Sequence, residues 1–210
     1  MKRYCSLMLV LFLVVSTVNA QDLSNGQESS GNSKGKNFLL DYYQQTFHAL
    51  KKSTENLSPT QLRFKAAADK WSIGQCLEHI IVTERMLFGL AKEATEKPAT
   101  PERRSEVKAT DEKIIQGIND RSFKAKATED LTGKNNLSNS ADALNELQRD
   151  RKLIADYLAN VKEEDLRSHI SDSPFGPIDA YQSFLFIAGH TSRHTLQVEE
   201  IKTDKNFPKK

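Results

Sequence analysis

The sequence predicts an all-α protein, a four-helix bundle whose helices run up, down, down and up. Apolar residues recur every three or four positions in four separate segments, which is the period of a helix with one buried face. The alternation of apolar and polar residues that is typical of strands is nearly absent. The connection between the second and third segments is about forty residues long. Such a long crossover lets these two helices run parallel to each other.

The first two helices have boundaries that can be read from the sequence. The first covers about 37–57 and stops at Ser58-Pro59, because proline disfavours helical backbone in the residue before it. The second follows Ser72, whose side chain can cap it, with Gln75 completing a capping box, and it continues to about Thr95. Their apolar stripes consist of Leu40, Tyr43, Phe47, Leu50 and Leu57 in the first helix and of Ile73, Leu77, Ile80, Leu87 and Leu90 in the second.

The other two long helices lie beyond the crossover. The crossover itself is predicted to hold one short helix around 111–118. The third long helix covers about 140–160, and the fourth begins with a second capping-box pair, Asp179 and Gln182, and continues to about Lys202. Their apolar stripes consist of Leu144, Leu147, Ile154, Leu158 and Val161 in the third helix and of Phe184, Ile187, Val198 and Ile201 in the fourth.

The chain divides into four parts. Residues 1–20 combine a basic start, a short apolar run and small residues at Val18 and Ala20, which predicts a cleaved signal peptide and therefore export to the periplasm or the medium. The alternative is a retained N-terminal anchor; after cleavage we expect no membrane association. Residues 21–36 are rich in Gly, Ser and Asn and are predicted to be a flexible linker. The bundle domain then covers 37–202, and 203–210 is predicted to be a frayed tail.

The charge and the cysteines of the mature chain exclude two classes of protein. The signal segment holds two of the 30 Lys and Arg residues, so 28 remain against 28 Asp and Glu residues. A near-neutral chain without a basic stripe is not expected to bind nucleic acid. Cys76 is the only cysteine after the signal segment, which excludes an intrachain disulfide in the exported protein. We expect Cys76 to be a small buried core residue rather than a metal ligand or a nucleophile.

Three of the five histidines fall on helix faces that should be buried. His190 and His194 are four residues apart on the fourth helix, so both imidazoles leave the same face. His79 is seven residues after Ser72, and His194 is seven residues before Ile201. If the second and fourth helices are antiparallel, both histidines lie about 10 Å from the same end of the bundle. The sequence therefore predicts that the three imidazoles meet.

Three neutral imidazoles can bind a divalent ion such as zinc, nickel or a manganese-like ion and leave coordination positions open for water or substrate. We therefore predict a metal site formed by His79, His190 and His194. The alternative for each of them is a hydrogen-bonded core histidine. His48 is predicted to lie on the polar surface of the first helix, and His169 is predicted to lie in a solvated loop.

Four polar residues are further candidates for this site. Arg151 occupies a core position of the third helix, so we expect it to find either an acidic partner or a wet cavity. In a cavity it would bind a substrate carboxylate or phosphate; the alternative is an arginine whose stem packs at the edge of the core. Gln75 and Thr83 lie one turn before and after His79 and are predicted to bind substrate or to support the metal ligand. Glu84 is the candidate general base.

Four parts of the chain resemble the DinB/YfiT-like superfamily: KWSIGQCLEHI (70–80), NDRSFKAKATEDL (119–131), the third helix around Arg151, and SPFGPIDAYQSFLFIAGHTSRHTLQVEEI (173–201). The resemblance covers roughly 37–202. It implies a four-helix bundle with a metal ion held by one histidine of the second helix and an H-x-x-x-H pair of the fourth. In this chain those ligands are His79, His190 and His194. It also implies an enzyme, either a hydrolase or a transferase or isomerase that uses a small thiol such as bacillithiol or mycothiol.

These observations together predict an exported, metal-dependent hydrolase that acts on a small molecule, with an anionic substrate as one option. The thiol-dependent reaction is the weaker alternative, because those thiols are cytosolic and this chain is predicted to be exported. Two rivals are not enzymes. One is a module that binds metal without catalysis, and the other is a helical interaction domain whose histidines remain from an enzymatic ancestor. A homodimer is an open option for the oligomeric state.

Overall fold

Four long helices carry the fold, joined by shorter helices and one β-hairpin. The computed structural model describes residues 35–122 and 126–209. The predicted signal peptide and nearly all of the predicted linker lie outside the described residues. In chain order the elements are α1 (Lys36–Thr54), α2 (Pro59–Arg63), α3 (Ile73–Glu96), α4 (Asp111–Asn119), α5 (Ser140–Asn160), α6 (Glu163–Ser168), β1 (Ile170–Ser173), β2 (Gly176–Asp179) and α7 (Ala180–Lys202).

The helix boundaries agree closely with the sequence signals. The Ser72 side chain accepts a hydrogen bond from the Gln75 amide and the reciprocal bond is present, so the predicted capping box of α3 is confirmed. The same arrangement, with Asp179 as the capping residue, confirms the start of α7. α1 ends at Thr54, three residues earlier than predicted. Asn56 there adopts a positive φ of 63°, a left-handed conformation that cannot continue a helix.

The contacts between helix ends give the direction of each long helix. The Ser140 hydroxyl donates to the Thr54 carbonyl at 2.8 Å, so the end of α1 meets the start of α5. The Tyr181 hydroxyl donates to the Gly35 carbonyl at 3.2 Å, so the starts of α1 and α7 meet. The first half of α3 packs against the second half of α7 in one apolar cluster. α1 and α7 therefore run one way and α3 and α5 the other, which confirms the up-down-down-up bundle.

The core consists of two apolar clusters that lie one beyond the other along the bundle. In each of the four long helices, buried polar residues separate the positions that belong to one cluster from those that belong to the other. Glu84 of α3 and Arg151 of α5 are two of them. The prediction that Leu90 belongs to the core is wrong, because Leu90 is 57% exposed. Ala91, four residues after Leu87, takes the buried position and is 5% exposed. The helical period continues from Leu87 in a step of four rather than three.

A short hairpin precedes α7 and corrects two expectations. β1 and β2 pair antiparallel, with Ile170 opposite Asp179, although the sequence showed almost no strand signal. Each strand has only four residues, too few for a recognisable alternation. The prediction that His169 is solvated is wrong, since it is 8% exposed. Its Nδ1 lies 2.6 Å from the Asp165 carbonyl oxygen and its Nε2 lies 3.0 Å from the Lys97 carbonyl oxygen, so the ring sits between the start of the hairpin and the end of α3.

The C-terminal residues are also ordered by packing. The expectation of a frayed tail over 203–210 is wrong for the residues described there. The Phe207 ring packs edge-on against Phe64 with centroids 5.4 Å apart, and the Gln61 amide donates to the Pro208 carbonyl at 2.9 Å. None of the helices in the described residues is both long and apolar enough to cross a membrane.

Candidate metal centre

His79 on α3 and His190 and His194 on α7 bring their Nε2 atoms together. His190 Nε2 lies 3.2 Å from His79 Nε2 and 3.1 Å from His194 Nε2. The ligand atoms of all three residues lie within 4.8 Å of one another. Two nitrogens bound to one tetrahedral zinc ion at its usual bond length are about 3.3 Å apart, so the two contacts of His190 Nε2, at 3.2 and 3.1 Å, suit a shared ion. The three predicted ligands therefore meet, as their matching depth along α3 and α7 indicated.

The hydrogen bonds of the outer histidines fix which nitrogen faces the centre. His79 Nδ1 donates to the Leu131 carbonyl at 2.7 Å, and His194 Nδ1 donates to the Gln197 amide oxygen at 2.9 Å. In a neutral ring the Nε2 atom of each then carries a lone pair that points toward His190 Nε2. One proton on His190 can bridge only one of these two contacts. A metal cation satisfies all three nitrogens at once, so the donor set fits a divalent ion.

Burial keeps the three rings in the form that binds metal. His79 is 5% exposed and His194 is 7% exposed, while His190 is half-buried. Burial lowers the pKa of all three imidazoles, and the neighbouring histidines add to the effect in His190 and His194. In His194 the pKa falls to about 3. At neutral pH all three are therefore uncharged and can act as ligands.

The crossover segment before α5 supports His79 from outside the bundle. It supplies the Leu131 carbonyl, and the Gln75 amide holds it by donating to the Gly133 carbonyl at 2.9 Å. A Cβ on Gly133 would lie 2.7 Å from the Gln75 Cα, so only glycine permits this approach. The Thr83 hydroxyl lies 3.2 Å from His79 Nδ1. Gln75 and Thr83 thus contact the segment and the ring that orient the predicted ligand, and their role in binding substrate stays a prediction.

Four features of this centre were missed in the sequence. The Trp71 ring packs edge-on against His79 with centroids 4.8 Å apart and stacks on His194 at 6.0 Å. Gln197 is three residues after His194, a spacing at which a helical side chain can reach a ring nitrogen. Arg121 pairs through two nitrogens with Glu200 at 2.6 and 2.7 Å, and its third nitrogen faces the same Gln197 oxygen at 3.5 Å. The Leu131 carbonyl is a backbone group, which has no signature in a sequence.

Glu84 and Arg151 bind each other instead of facing the three histidines. The Arg151 Nε and Nη2 atoms each donate to one Glu84 oxygen at 3.0 Å. The remaining N–H groups donate to the Tyr43 carbonyl and to the hydroxyls of Thr46 and Thr191, at 3.0 and 2.8 Å for the two hydroxyls. The expected acidic partner of Arg151 is therefore confirmed. All five of its N–H groups are engaged, so neither a substrate-binding role for Arg151 nor a general-base role for Glu84 has support in these contacts.

Cys76 lies in the apolar cluster beside α7 and is fully buried. Burial raises the pKa of its thiol to about 12. A neutral thiol in apolar surroundings is neither a good ligand nor a nucleophile. The prediction that Cys76 is a core residue is confirmed.

The buried histidines should make the metal-free protein sensitive to mild acid. Below the ordinary pKa of 6.5 the unfolded chain takes up protons on these rings, whereas the folded chain does not until its lowered pKa is reached. Folding stability should therefore fall as the pH drops below 6.5, and by about pH 5 His194 alone should cost about 2 kcal/mol. Urea unfolding of chelator-treated protein at several pH values measures this slope. His194→Gln should flatten it and the exposed-site control His48→Gln should not; an equal slope in all three proteins would contradict the expectation.

Comparison with known proteins agrees with this geometry. The model of the DinB superfamily matches residues 42–198. The uncharacterized protein YuaE of Bacillus subtilis (strain 168) is 28% identical over 152 residues, which cover 70% of this chain and 87% of YuaE. Among solved structures, YfiT from Bacillus subtilis, described as a probable metal-dependent hydrolase with an unusual four-helix bundle topology, matches with a TM-score of 0.57 at 14% identity, over 84% of this chain and 91% of YfiT. The likeness to YfiT shows the shared fold, and the family match, which runs from α1 into α7, shows that this chain belongs to the DinB superfamily.

Proposed function

We propose that this protein is an exported, metal-dependent hydrolase whose centre holds one divalent ion on His79, His190 and His194. The observation that carries the proposal is the composition of the centre. Among the residues that the structure describes, the group of side chains able to hold a metal ion contains these three histidines and no fourth ligand. Three protein ligands leave a coordination position for water or substrate, as in catalytic zinc sites, whereas structural zinc sites use four.

The side chains around the centre support this reading. The Leu131 carbonyl and the Gln197 amide hold the outer rings with Nε2 inward, and such orienting partners raise the affinity of a histidine site for metal. Trp71 covers two of the rings, which limits the access of bulk water from that side. A divalent ion bound there supplies Lewis acidity for a carbonyl or phosphoryl group. His190 is the most exposed of the three.

Membership of the DinB superfamily and the likeness to YfiT support a hydrolytic rather than a purely structural use of the metal. The proposal of export rests on the sequence of residues 1–20. We keep the proposal of a small-molecule substrate, and a neutral mature chain gives no reason to propose a nucleic acid in its place.

Cobalt substitution tests the proposal. We expect azide to change the visible absorption of the cobalt protein, because an open position accepts an external ligand. The zinc-loaded protein should hydrolyse at least one member of a panel of model esters, amides and phosphoesters, and chelation should abolish this activity. His79→Gln is the matched variant that should lose both signals. A cobalt spectrum that azide leaves unchanged, together with no metal-dependent hydrolysis, would favour a non-catalytic metal-binding module.

A further inference from the structure

A groove of about 600 Å³ runs between α1 and α5, away from the three histidines. We define this α1–α5 groove by its lining residues, which come from these two helices. Its volume lies within the range of small-molecule binding sites. Its floor consists of five residues with apolar side chains or rings that are at least half-buried: Leu40, Tyr43, Phe47, Ala155 and Leu158. Arg151, which is ion-paired with Glu84, also lines the floor.

The rim of the groove has the opposite character. It consists of six exposed polar residues, Gln44, His48, Asn145, Gln148, Arg149 and Lys152. Two of these carry a permanent positive charge, and no acidic residue lines the groove. An apolar floor beneath a basic rim is complementary to a ligand that has an apolar body and an anionic group.

The apolar and the polar lining residues also lie toward opposite ends of the groove. α1 and α5 are antiparallel, so Leu40 lies at the level of Ala155 and Leu158, whereas His48 lies toward Asn145 and Arg149. The distance from Leu40 to His48 along α1 is about 12 Å at the usual helical rise. One end of the groove is therefore apolar and the other end is polar and basic. This gradient selects an elongated ligand with its anionic group at one tip.

Arg149 is the residue best placed to meet that anionic group. In the described part of the chain no carboxylate is within ion-pair distance of its guanidinium, and the residue is exposed. Lys152, by contrast, already pairs with Asp156 at 2.6 Å, and Arg151 is neutralised by Glu84. An arginine fork matches the two oxygens of a carboxylate.

We propose that the α1–α5 groove binds a medium-chain carboxylate, an amphiphile of about ten carbons with its alkyl chain on the floor and its carboxylate at Arg149. This site is separate from the metal centre and does not rest on the proposed hydrolase function. The protein would then have a second binding site, whose occupancy does not depend on the metal ion.

Calorimetric titration of the metal-loaded mature chain with decanoate, below its micelle concentration, tests the proposal. We expect one site per chain. Butyrate, which keeps the carboxylate but not the chain, and decyltrimethylammonium, which keeps the chain but reverses the charge, should not bind there. Arg149→Glu should weaken decanoate binding by about tenfold or more. Ala155→Phe, which fills the half-buried floor, should also block it, whereas Arg63→Glu on α2 is the matched control and should bind like the unaltered protein.

Two further measurements complete the test. Metal content should be the same in all of these variants, so that loss of decanoate binding can be distinguished from loss of metal binding. Sedimentation of the unaltered chain should show that decanoate leaves its oligomeric state unchanged. Equal decanoate affinity in Arg149→Glu and the unaltered chain would overturn the proposal. A dimer that dissociates in Ala155→Phe would also overturn it, because a second copy would then cover the groove.

Discussion

Replacement of His190 by alanine is expected to reduce the metal content of the purified protein from about one divalent ion per chain to nearly none. His190 Nε2 is the central atom of the cluster, 3.2 and 3.1 Å from the other two Nε2 atoms. Its removal leaves His79 and His194 as the two remaining imidazoles of the cluster. Two remaining imidazoles bind a labile ion far more weakly than three.

Elemental analysis after dialysis, on protein purified without a histidine tag, measures this content. His48→Ala is the matched control, since His48 is exposed on α1 and lies outside the cluster. The control should keep its metal. Full occupancy in a variant that lacks both His190 and His194 would show that the ion is bound elsewhere.

Replacement of Arg151 by methionine is expected to destabilise the fold by about 3–5 kcal/mol, the cost of removing one partner of a buried ion pair. Arg151 is 7% exposed and Glu84 is 2% exposed, so the Glu84 carboxylate would be left without a counter-charge inside the bundle. The hydroxyls of Thr46 and Thr191 and the Tyr43 carbonyl would lose a donor as well. On the sequence pattern alone, this substitution would have been expected to leave folding nearly intact and to weaken anion binding. The ion pair with Glu84 reverses that expectation.

Urea unfolding gives the free energy of each variant. Arg151→Met combined with Glu84→Gln should recover part of the loss, because the neutral amide leaves no buried charge unpaired. Arg149→Met, two residues earlier and exposed, should change the stability by no more than about 0.5 kcal/mol. A loss of less than about 1 kcal/mol in Arg151→Met would contradict the expected cost of breaking the buried pair.

The buried polar residues between the two apolar clusters explain why the effect should be large. Arg151 of α5 contacts α1 through Tyr43, α3 through Glu84 and α7 through Thr191. One side chain therefore joins all four long helices. Its loss removes the contacts that hold the helices at this level of the bundle.

Local sequence patterns were sufficient for the four long helices. The period of the apolar residues and the capping boxes at Ser72 and Asp179 act within a few residues of each other, so their effect does not depend on the rest of the chain. The length of the crossover then predicted the parallel arrangement of α3 and α5. Given that arrangement, counting residues along α3 and α7 was enough to predict that His79 lies beside His190 and His194.

Two local errors have a common physical cause. β1 and β2 have four residues each, and their strand conformation depends on pairing with each other rather than on a pattern within either one. Phe207 is ordered because it packs against Phe64, more than 140 positions earlier in the chain. Neither contact leaves a periodic signal in its own segment.

The sequence by itself determined which histidines share a depth in the bundle, because helical rise is a fixed length per residue. Only the tertiary structure decided what surrounds them. The rotation of each helix about its axis placed Arg151 against Glu84, 67 positions away in the sequence. The two side chains bind each other, so neither is free to contact a substrate. The fold of the crossover brought the Leu131 carbonyl to His79, although a backbone carbonyl is the same in every residue. A helix's own residues fix its length and depth, whereas its rotation and the path of a loop are set by everything packed against them.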